Sequence, residues 1–286
     1  MEPALRTGYK ISAQITRKFA KTFYFASRLL PKPKRNAAYS VYALCRISDD
    51  AVDIPRGEST AQSLNHIEKE IASAYDNSEL SDNVLIAFKE TVTSYQIPRR
   101  YFDELLSGMR MDLEKTRYRN FAELYEYCYK VAGVVGLIMI KIFGYSDPEA
   151  KKHAESLGIA MQLTNILRDV REDYQRGRIY IPLEDMEKYG VSESDIASGK
   201  ITENLKQLLE FQTLRARDYY SSSKAGIAMI SDRQSRLVIL AMNNIYSGIL
   251  DDIEDNDYDV FSRRACVNSM RKIWRLTKIL CKGEYR

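Results

Sequence analysis

The chain has 286 residues, of which 45% are apolar and 29% are charged, so it can enclose a substantial core and is neither disordered nor fibrous. Its 43 basic and 39 acidic residues leave a net charge of only +4, which excludes nucleic acid as an expected partner. The longest apolar run, residues 131–140, is about half of the ~20 residues that cross a bilayer, and the first residues lack a secretory signal pattern. We therefore expect a cytoplasmic globular protein without a membrane-spanning segment.

Long segments of helical periodicity, separated by most of the prolines and glycines, predict an all-α fold. In chain order, the predicted helices cover residues 11–27, 35–53, 60–75, 82–95, 99–115, 121–143, 148–175, 202–222, 230–254 and 261–281. The joints between them are short, and the chain shows neither a flexible linker nor a repeat of about 20 to 50 residues. These features predict a single domain over residues 1–286.

The second predicted helix carries a polar stripe formed by Tyr42, Arg46, Asp49 and Asp53. Their spacing of four, three and four residues puts all four on one side of a helix with about 3.6 residues per turn. The apolar segment SVYALCRI precedes the acids, and an unpaired acid beside a core is costly. The stripe is therefore predicted to face a ligand, although acidic pairs of this spacing also occur by chance on solvated faces.

A second polar stripe, on the predicted helix 148–175, is formed by Gln162, Asn165, Asp169 and Asp173. Steps of three or four residues again keep these side chains on one face. The chain has only two histidines and no C-x-x-C pair, so the oxygen donors of the two stripes favour magnesium over zinc. Because magnesium is usually held by a few carboxylates together with substrate phosphates, the stripes predict a phosphorylated substrate.

Five segments of the chain resemble, in order, segments of the squalene and phytoene synthase family, and are most similar to phytoene synthases of the bacterial type. They are KTFYFASRLLP, YALCRISDDAVD, GMRMDLEKTRY, YCYKVAGVVGL and QLTNILRDVREDYQRGRIYIP. The resemblance covers nearly the whole chain, and the paired aspartate-rich motifs are its specific part. It implies a class I terpenoid synthase fold, that is, a single-domain all-helical isoprenoid synthase bundle around a central cavity that two acidic helices face.

The resemblance also implies roles for individual residues. Magnesium ligands are implied at Asp49, Asp53, Asn165, Asp169 and Asp173, with Asp50 beside the first pair. Diphosphate contacts are implied at Lys21, Thr22, Arg46, Arg168 and Arg263, and polar cavity groups at Tyr42, Tyr127, Gln162 and Tyr246. Of these, the residues expected to carry the chemistry are Arg46, Asp49, Asp50, Asp53, Tyr127, Asp169 and Asp173. About three magnesium ions, replaceable by manganese, are implied between two diphosphates, and no nicotinamide cofactor is expected.

The reaction implied by the resemblance is head-to-head condensation of two geranylgeranyl diphosphates to phytoene through prephytoene diphosphate, a step of carotenoid biosynthesis. Squalene or dehydrosqualene synthesis from two farnesyl diphosphates is the alternative. A non-catalytic helical scaffold is a second alternative, of another class, which the intact acidic stripes disfavour. The group that removes the final proton is left open between a cavity tyrosine and the released diphosphate.

The carbocations of such a reaction need apolar or aromatic walls, which Phe23, Phe25, Met161, Tyr127 and residues 131–140 could supply. Ordinary core packing is the alternative for each of them. Gly133 and Gly136 are interpreted as points of close helix packing. Ser27, one turn beyond Phe23, is interpreted as a substrate-binding residue that leaves room for the longer substrate, so Ser27→Phe is expected to favour farnesyl diphosphate.

Two further segments, one acidic and one basic, also have ordinary structural explanations. The acidic run at Asp251–Asp259 lacks the glycine and the final glutamate of an EF-hand loop, so it is interpreted as a solvated helix end. The basic C-terminal segment RKIWRLTKILCK has an amphipathic pattern. Peripheral contact with an anionic membrane and packing of the apolar side on the domain are both left open for it, and the sequence makes no prediction of oligomeric state.

Overall fold

The computed structural model of the protein describes residues 2–53, 60–76, 78–283 and 285, without the side chains of residues 51–53 and 282. The α-helices of these residues are α1 (Pro3–Phe19), α2 (Lys21–Ser27), α3 (Lys32–Asp53), α4 (Thr60–Tyr75), α5 (Asn83–Ser94), α6 (Arg99–Glu114), α7 (Phe121–Cys128), α8 (Val134–Phe143), α9 (Ala150–Arg168), α10 (Val170–Gln175), α11 (Leu183–Lys188), α12 (Glu193–Ser198), α13 (Glu203–Lys224), α14 (Arg233–Asp255) and α15 (Ser269–Lys282). In this part of the chain, β pairing is confined to two isolated bridges. The predicted all-α class is confirmed.

Two clusters of buried side chains hold the helices together. The first surrounds Phe88 and Phe102 of α5 and α6, whose rings meet edge to face with their centroids 4.9 Å apart. The second surrounds Tyr118 and includes buried residues of α7, α9 and α13. Met161 of α9 and Tyr246 of α14 pack against both clusters, so these two helices lie between them. Burial of this apolar surface is the main favourable term in folding.

Two predicted helices are each broken once in the structure. The helix predicted for residues 11–27 begins earlier, at Pro3, and breaks at Ala20, whose backbone (φ −129°, ψ 61°) leaves the helical region before α2 begins. The helix predicted for residues 148–175 breaks at Asp169, which has φ −106° and ψ 14° and separates α9 from α10. Neither break contains proline or glycine, so no sequence signal of a helix end was present.

The predicted C-terminal helix begins eight residues too early. The segment before α15 is held in an irregular conformation by two carboxylates that accept hydrogen bonds from backbone N–H groups. Asp259 Oδ1 accepts from Phe261 at 3.0 Å, and Asp252 Oδ2 accepts from Cys266 at 3.0 Å. Asn268 then caps the helix by accepting from the N–H of Arg271 at 2.8 Å. The short helices α11 and α12 were not predicted, because six residues are too few for a periodic pattern.

The helix predicted for residues 121–143 is continuous, but it contains one π-helical turn. Residues Tyr129–Gly133 form this turn between α7 and α8. A π turn is the usual result of one extra residue in an α-helix and is frequent at functional sites.

Two glycines let α9 approach the helix formed by α7, the π turn and α8. A Cβ atom at Gly158 of α9 would lie 2.2 Å from the carbonyl oxygen of Ala132. A Cβ atom at Gly136 of α8 would lie 2.2 Å from the carbonyl oxygen of Ala154. Both contacts are with backbone, which cannot rotate away, so the structure supports the packing interpretation of Gly136.

Gly158→Ala is expected to lower the free energy of unfolding by about 2–3 kcal/mol, because the added methyl group must push two backbones apart. Urea denaturation followed by circular dichroism would measure the loss. Gly133→Ala is the matched control, since its Cβ would meet side-chain atoms of Tyr129 and Glu155 at 3.2 and 3.3 Å, and these can move. An equal loss in both variants would contradict the explanation by backbone contact.

Candidate active site

A cavity of about 400 Å³ lies between α3, α8, α9 and α14. Its walls are mostly apolar and include Val135, Met139 and Met242. Helix α9 contributes wall residues from Asn165 at one end to Ala150 at the other, which corresponds to roughly 22 Å of helix axis. This shape suits a long, narrow, apolar ligand.

Polar groups gather at the Asn165 end of the cavity, where Tyr42, Gln162 and Tyr246 also line the wall. Asn165 Nδ2 donates to Gln162 Oε1 at 3.3 Å. The Oδ1 atom of Asn165 is buried and has no hydrogen-bond partner among the described residues. A buried carbonyl oxygen without a partner is costly, so this atom is suited to bind a ligand or a cation.

The first acidic stripe continues from Tyr42 along α3. Arg46 forms an ion pair with Asp50, and its guanidinium lies 4.5 Å from the ring centroid of Phe19, which also lines the cavity. The Nε atom of Arg46 is buried without a hydrogen-bond partner in the described part of the chain. Asp49 is exposed on the same helix, and the side chain of Asp53 lies outside the described residues. Arg46 therefore places a positive charge beside the cavity wall.

The second acidic stripe continues beyond Asn165, where α9 ends. Asp169 accepts two hydrogen bonds from Arg168, at 2.9 and 2.5 Å, and two from Arg264, at 2.8 and 3.0 Å. Burial raises the pKa of Asp169, but the two arginines outweigh that effect and hold it below its usual value. Asp169 is thus kept ionised between two guanidinium groups.

Asp173 lies one turn further and has no such neutralisation. Burial, and after it the charge of Asp169, raises the pKa of Asp173 to about 7, although Arg176 and Arg178 act in the opposite direction. A half-buried carboxyl group with a pKa raised so far is short of positive charge. This is the electrostatic condition that a bound cation relieves.

Two tyrosines, Tyr42 of the first stripe and Tyr246 of α14, line the cavity near the charged groups. Burial raises the pKa of Tyr42 to about 12, and the nearby charges of Arg46 and Asp49 lower and raise it in turn. Burial also raises the pKa of Tyr246, while the charge of Arg168 lowers it and that of Asp169 raises it. Since Tyr42 of the first stripe lines the same cavity as Gln162 and Asn165 of the second, the structure brings residues of both stripes to this cavity.

Three predicted substrate-binding residues lie at the α1–α2 break or just beyond it. Phe23 lines the cavity, with its ring centroid 5.8 Å from that of Tyr42. Lys21 is exposed, and the hydroxyl of Thr22 accepts a hydrogen bond from Lys272 at 2.8 Å. These two side chains lie near the cavity mouth but not in its wall.

Ser27 lies among packed side chains at the end of α2. This residue is 0% exposed and is not part of the cavity wall, because α2 ends there and turns it into the packed interior beside Ala26. The interpretation of Ser27 as a substrate-binding residue that leaves room for the longer substrate therefore stays a prediction.

Two other predicted residues also lie away from the cavity wall. Tyr127 is buried in a cluster of aromatic rings, where its hydroxyl donates to Asp112 at 3.0 Å, and Tyr180 donates to the same carboxylate at 2.8 Å. Arg263 is paired with Asp252 at 2.5 Å. The neighbouring Arg264, which was not predicted, contacts the second stripe by donating to Asp169.

Asp112, in the segment GMRMDLEKTRY, was not predicted as a site residue. The carboxylate of Asp112 joins Tyr127 and Tyr180, and its charge contributes to the raised pKa of Asp173. Sequence spacing gave no signal, since Asp112 and Asp173 lie on different helices. Asp112 is therefore a further acidic group near the second stripe.

The donor set can be tested against magnesium. Among the described residues, no three acidic, histidine or cysteine side chains already form a metal-ligand cluster, because Asp169 is held by arginines. The donors are nevertheless all oxygen atoms, the Oδ1 of Asn165 is buried without a hydrogen-bond partner among the described residues, and the pKa of Asp173 is raised despite the nearby Arg176 and Arg178. These features fit a hard cation that arrives together with a phosphorylated ligand.

Comparison with known proteins agrees with this site. A family model described as squalene/phytoene synthase matches residues 16–271. The phytoene synthase of Arthrospira platensis is 39% identical over 95% of this chain and 92% of the relative. The 15-cis-phytoene synthase of Synechococcus elongatus is 38% identical over 96% of this chain and 92% of the relative.

Solved structures show the same architecture. A dehydrosqualene synthase in complex with a ligand superposes with a TM-score of 0.92 and 31% identity, covering 99% of this chain and 98% of that one. Squalene synthase HpnC from Alicyclobacillus acidocaldarius superposes with a TM-score of 0.84 and 26% identity, covering 90% of this chain and 97% of that one. The predicted class I terpenoid synthase fold is confirmed.

Proposed function

The chain belongs to the squalene/phytoene synthase family, and on that premise we propose that it condenses two geranylgeranyl diphosphates head to head into phytoene. The product forms through prephytoene diphosphate, and two diphosphates are released. The protein is thus a prenyltransferase of isoprenoid and carotenoid biosynthesis. The observation that carries the proposal is one apolar cavity, roughly 22 Å long by the rise of α9, with residues of both acidic stripes at its mouth.

The first chemical requirement is to stabilise a leaving diphosphate. When the C1–O bond of one substrate breaks, the bonding electrons leave with the diphosphate, and positive charge next to it lowers the barrier. Arg46, Arg168 and Arg264 supply such charge from α3, α9 and the segment before α15. Arg168 and Arg264 hold Asp169 in the structure, so an arriving diphosphate would share two guanidinium groups that are already oriented.

Magnesium would be held at this mouth by Asp49, Asp53, Asn165, Asp169 and Asp173, and when bound it would supply further positive charge to the diphosphates. About three ions are proposed, and manganese is proposed as a substitute. The unpartnered Oδ1 of Asn165 and the raised pKa of Asp173 support this assignment. Asp50 keeps Arg46 in place by the ion pair between them.

The second requirement is to protect the allylic cation from water until the double bond of the other prenyl chain attacks it. The walls around Phe23, Val135 and Met161 exclude water from the cavity. The rings of Phe23, Tyr42 and Tyr246 present aromatic faces that favour a nearby cation. Loss of a proton closes the cyclopropane ring of prephytoene diphosphate, and a second ionisation, rearrangement and proton loss give phytoene.

The test is turnover by the purified protein with magnesium and either geranylgeranyl or farnesyl diphosphate, each with and without NADPH. Phytoene from geranylgeranyl diphosphate, without a requirement for NADPH, is the expected result. A preference for farnesyl diphosphate would favour the squalene or dehydrosqualene alternative, which the structural similarity to a dehydrosqualene synthase keeps in view. Absence of any condensation product would favour a non-catalytic scaffold.

The product of the proposed reaction is a hydrocarbon that water does not dissolve, so its release is favoured where the protein touches a lipid phase. In the described part of the chain, no helix has the length and apolar composition to pass through a bilayer. We therefore propose contact at the membrane surface.

A further inference from the structure

The last helix, α15, turns its apolar side towards solvent. Met270 is 78% exposed, Ile273 58%, Trp274 60% and Leu280 47%. Ile273 and Trp274 lie three and four residues after Met270, and Leu280 lies two turns after Ile273, so the four side chains share one side of the helix. Packing on the domain accounts for only part of this helix, because Ile279 is buried at 2% exposure while these four side chains face solvent.

The opposite side of α15 is attached to the domain by apolar packing of Leu276 and Ile279 and by polar contacts. Lys272 Nζ donates to Thr22 Oγ1 at 2.8 Å. Arg275 Nη1 donates to the carbonyl oxygen of Asn244 at 2.8 Å, and its Nη2 atom forms an ion pair with Asp251. An exposed apolar face on a helix that is anchored in this way marks an interaction surface.

The bond between Lys272 and Thr22 joins α15 to a second exposed surface, on α2. Phe25 of α2 and Leu29, just beyond the end of this helix, are 45% and 41% exposed. Lys21 of α2 and Arg28, which follows its last residue, are also exposed. The outer faces of α2 and α15 therefore lie next to each other and combine large apolar side chains with positive charge.

A groove of about 920 Å³, which Arg28 also lines, opens between α1, α2 and the start of α3. Six basic side chains line it, and no acidic side chain does: Arg6, Lys10, Arg17, Arg28, Lys32 and Arg35. Among the described residues, none of the six forms an ion pair with an acid. The groove thus concentrates six positive charges in a chain whose net charge is only +4.

We propose that the apolar face of α15, the outer face of α2 and the basic groove together form a docking face for an anionic lipid bilayer. Large apolar side chains that enter the acyl boundary, beside basic groups that meet anionic headgroups, are the two contacts that hold peripheral proteins on membranes. The charge selects this occupant over a second copy of the chain, since two such grooves would repel each other.

The docking face also borders the mouth of the cavity. Phe19 and Ala20 line the cavity and directly precede α2, and Phe19 is 42% exposed. The inference rests on the proposed function in one respect, because an apolar product that leaves at this point would pass directly to lipid.

Trp274 makes the proposal measurable, since it is the single tryptophan of the chain and lies in the docking face. The experiment adds the full-length protein to vesicles of phosphatidylcholine alone or mixed with phosphatidylglycerol. A blue shift of the Trp274 emission, and its quenching by brominated lipids, are expected with the anionic vesicles only. Raised salt is expected to reverse the binding.

Two variants separate the contributions of the docking face. Met270→Ser combined with Ile273→Ser is expected to weaken binding to anionic vesicles by at least about tenfold, through lost apolar burial. Arg28→Glu combined with Lys32→Glu is expected to weaken it by a similar factor, through lost charge. Leu214→Ser is the matched control, because Leu214 is 61% exposed but lies on α13, and its variant should bind as the wild type does.

Three outcomes would overturn the proposal. They are an unchanged Trp274 emission with anionic vesicles, equal binding to neutral vesicles, and a shift that depends on protein concentration without lipid, which would indicate a second copy as the occupant. Binding of inorganic pyrophosphate in the groove with no vesicle binding would mark a site for soluble anions instead. Turnover in detergent without vesicles, measured on the same variants, reports the proposed activity separately and is expected to stay unchanged.

Discussion

Asp169→Asn is expected to lower the turnover of geranylgeranyl diphosphate by a factor on the order of 10³ while helix content stays the same. The variant keeps the shape of the side chain but removes the charge that Arg168 and Arg264 hold at the cavity mouth. It also removes one proposed magnesium ligand and frees Asp173 from a neighbouring negative charge. Steady-state kinetics at saturating magnesium, with circular dichroism of the same samples, would measure both effects.

Asp185→Asn is the matched control for this prediction. Asp185 is also a buried carboxylate held by an arginine, with Arg215 Nη1 at 2.6 Å and Gln212 Nε2 at 2.9 Å, but it lies on α11 away from the cavity. Its loss is expected to lower stability and to leave the turnover per folded molecule near the wild-type value. Equal turnover losses in the two variants would remove the special role of Asp169.

The second large effect is expected at the apolar end of the cavity. Ala150→Leu is expected to lower the ratio of kcat/KM for geranylgeranyl diphosphate to that for farnesyl diphosphate by roughly 10- to 200-fold. Ala150 is 1% exposed and lines the wall at the start of α9, so a larger side chain there occupies the space proposed for the end of the longer prenyl chain. Kinetics with each substrate would measure the ratio.

Ala160→Leu provides the comparison for that substitution. Ala160 lies on the same helix and is 0% exposed, but it packs in the second buried cluster and does not line the cavity. The added volume should strain the core by a similar amount without changing substrate preference. If both variants shifted the ratio equally, the cause would be general strain and not cavity length.

The long helices and both polar stripes could be predicted because each depends on local periodicity. Tyr42 and Arg46 lie four residues apart on α3, and Gln162 and Asn165 lie three apart on α9, so helix geometry alone determines their common faces. The residues of the stripes that line the cavity could therefore be predicted from their spacing in the sequence.

Features that depend on tertiary contacts could not be predicted in this way. The break at Asp169 coincides with a carboxylate held by Arg264, ninety-five residues further along the chain. The choice between Arg263 and Arg264 depends on which one reaches Asp252, and the environment of Asp112 depends on tyrosines from two other segments. The orientation of α15 depends on the polar anchors of Lys272 and Arg275 and on the burial of Ile279, and amphipathic periodicity does not reveal which apolar side chains are buried.

The π turn at Tyr129–Gly133 has a consequence for how the chain tolerates changes in length. Such a turn holds one residue more than an α-helix needs between the same two ends. Loss of a single residue there would convert it to a regular turn and leave the register of α7 and α8 unaltered. A loss within α8 itself would rotate every later side chain by about 100° and turn Met139 and Phe143 away from the cavity. The helix thus contains one position at which a deletion is absorbed locally, directly beside the wall that it builds.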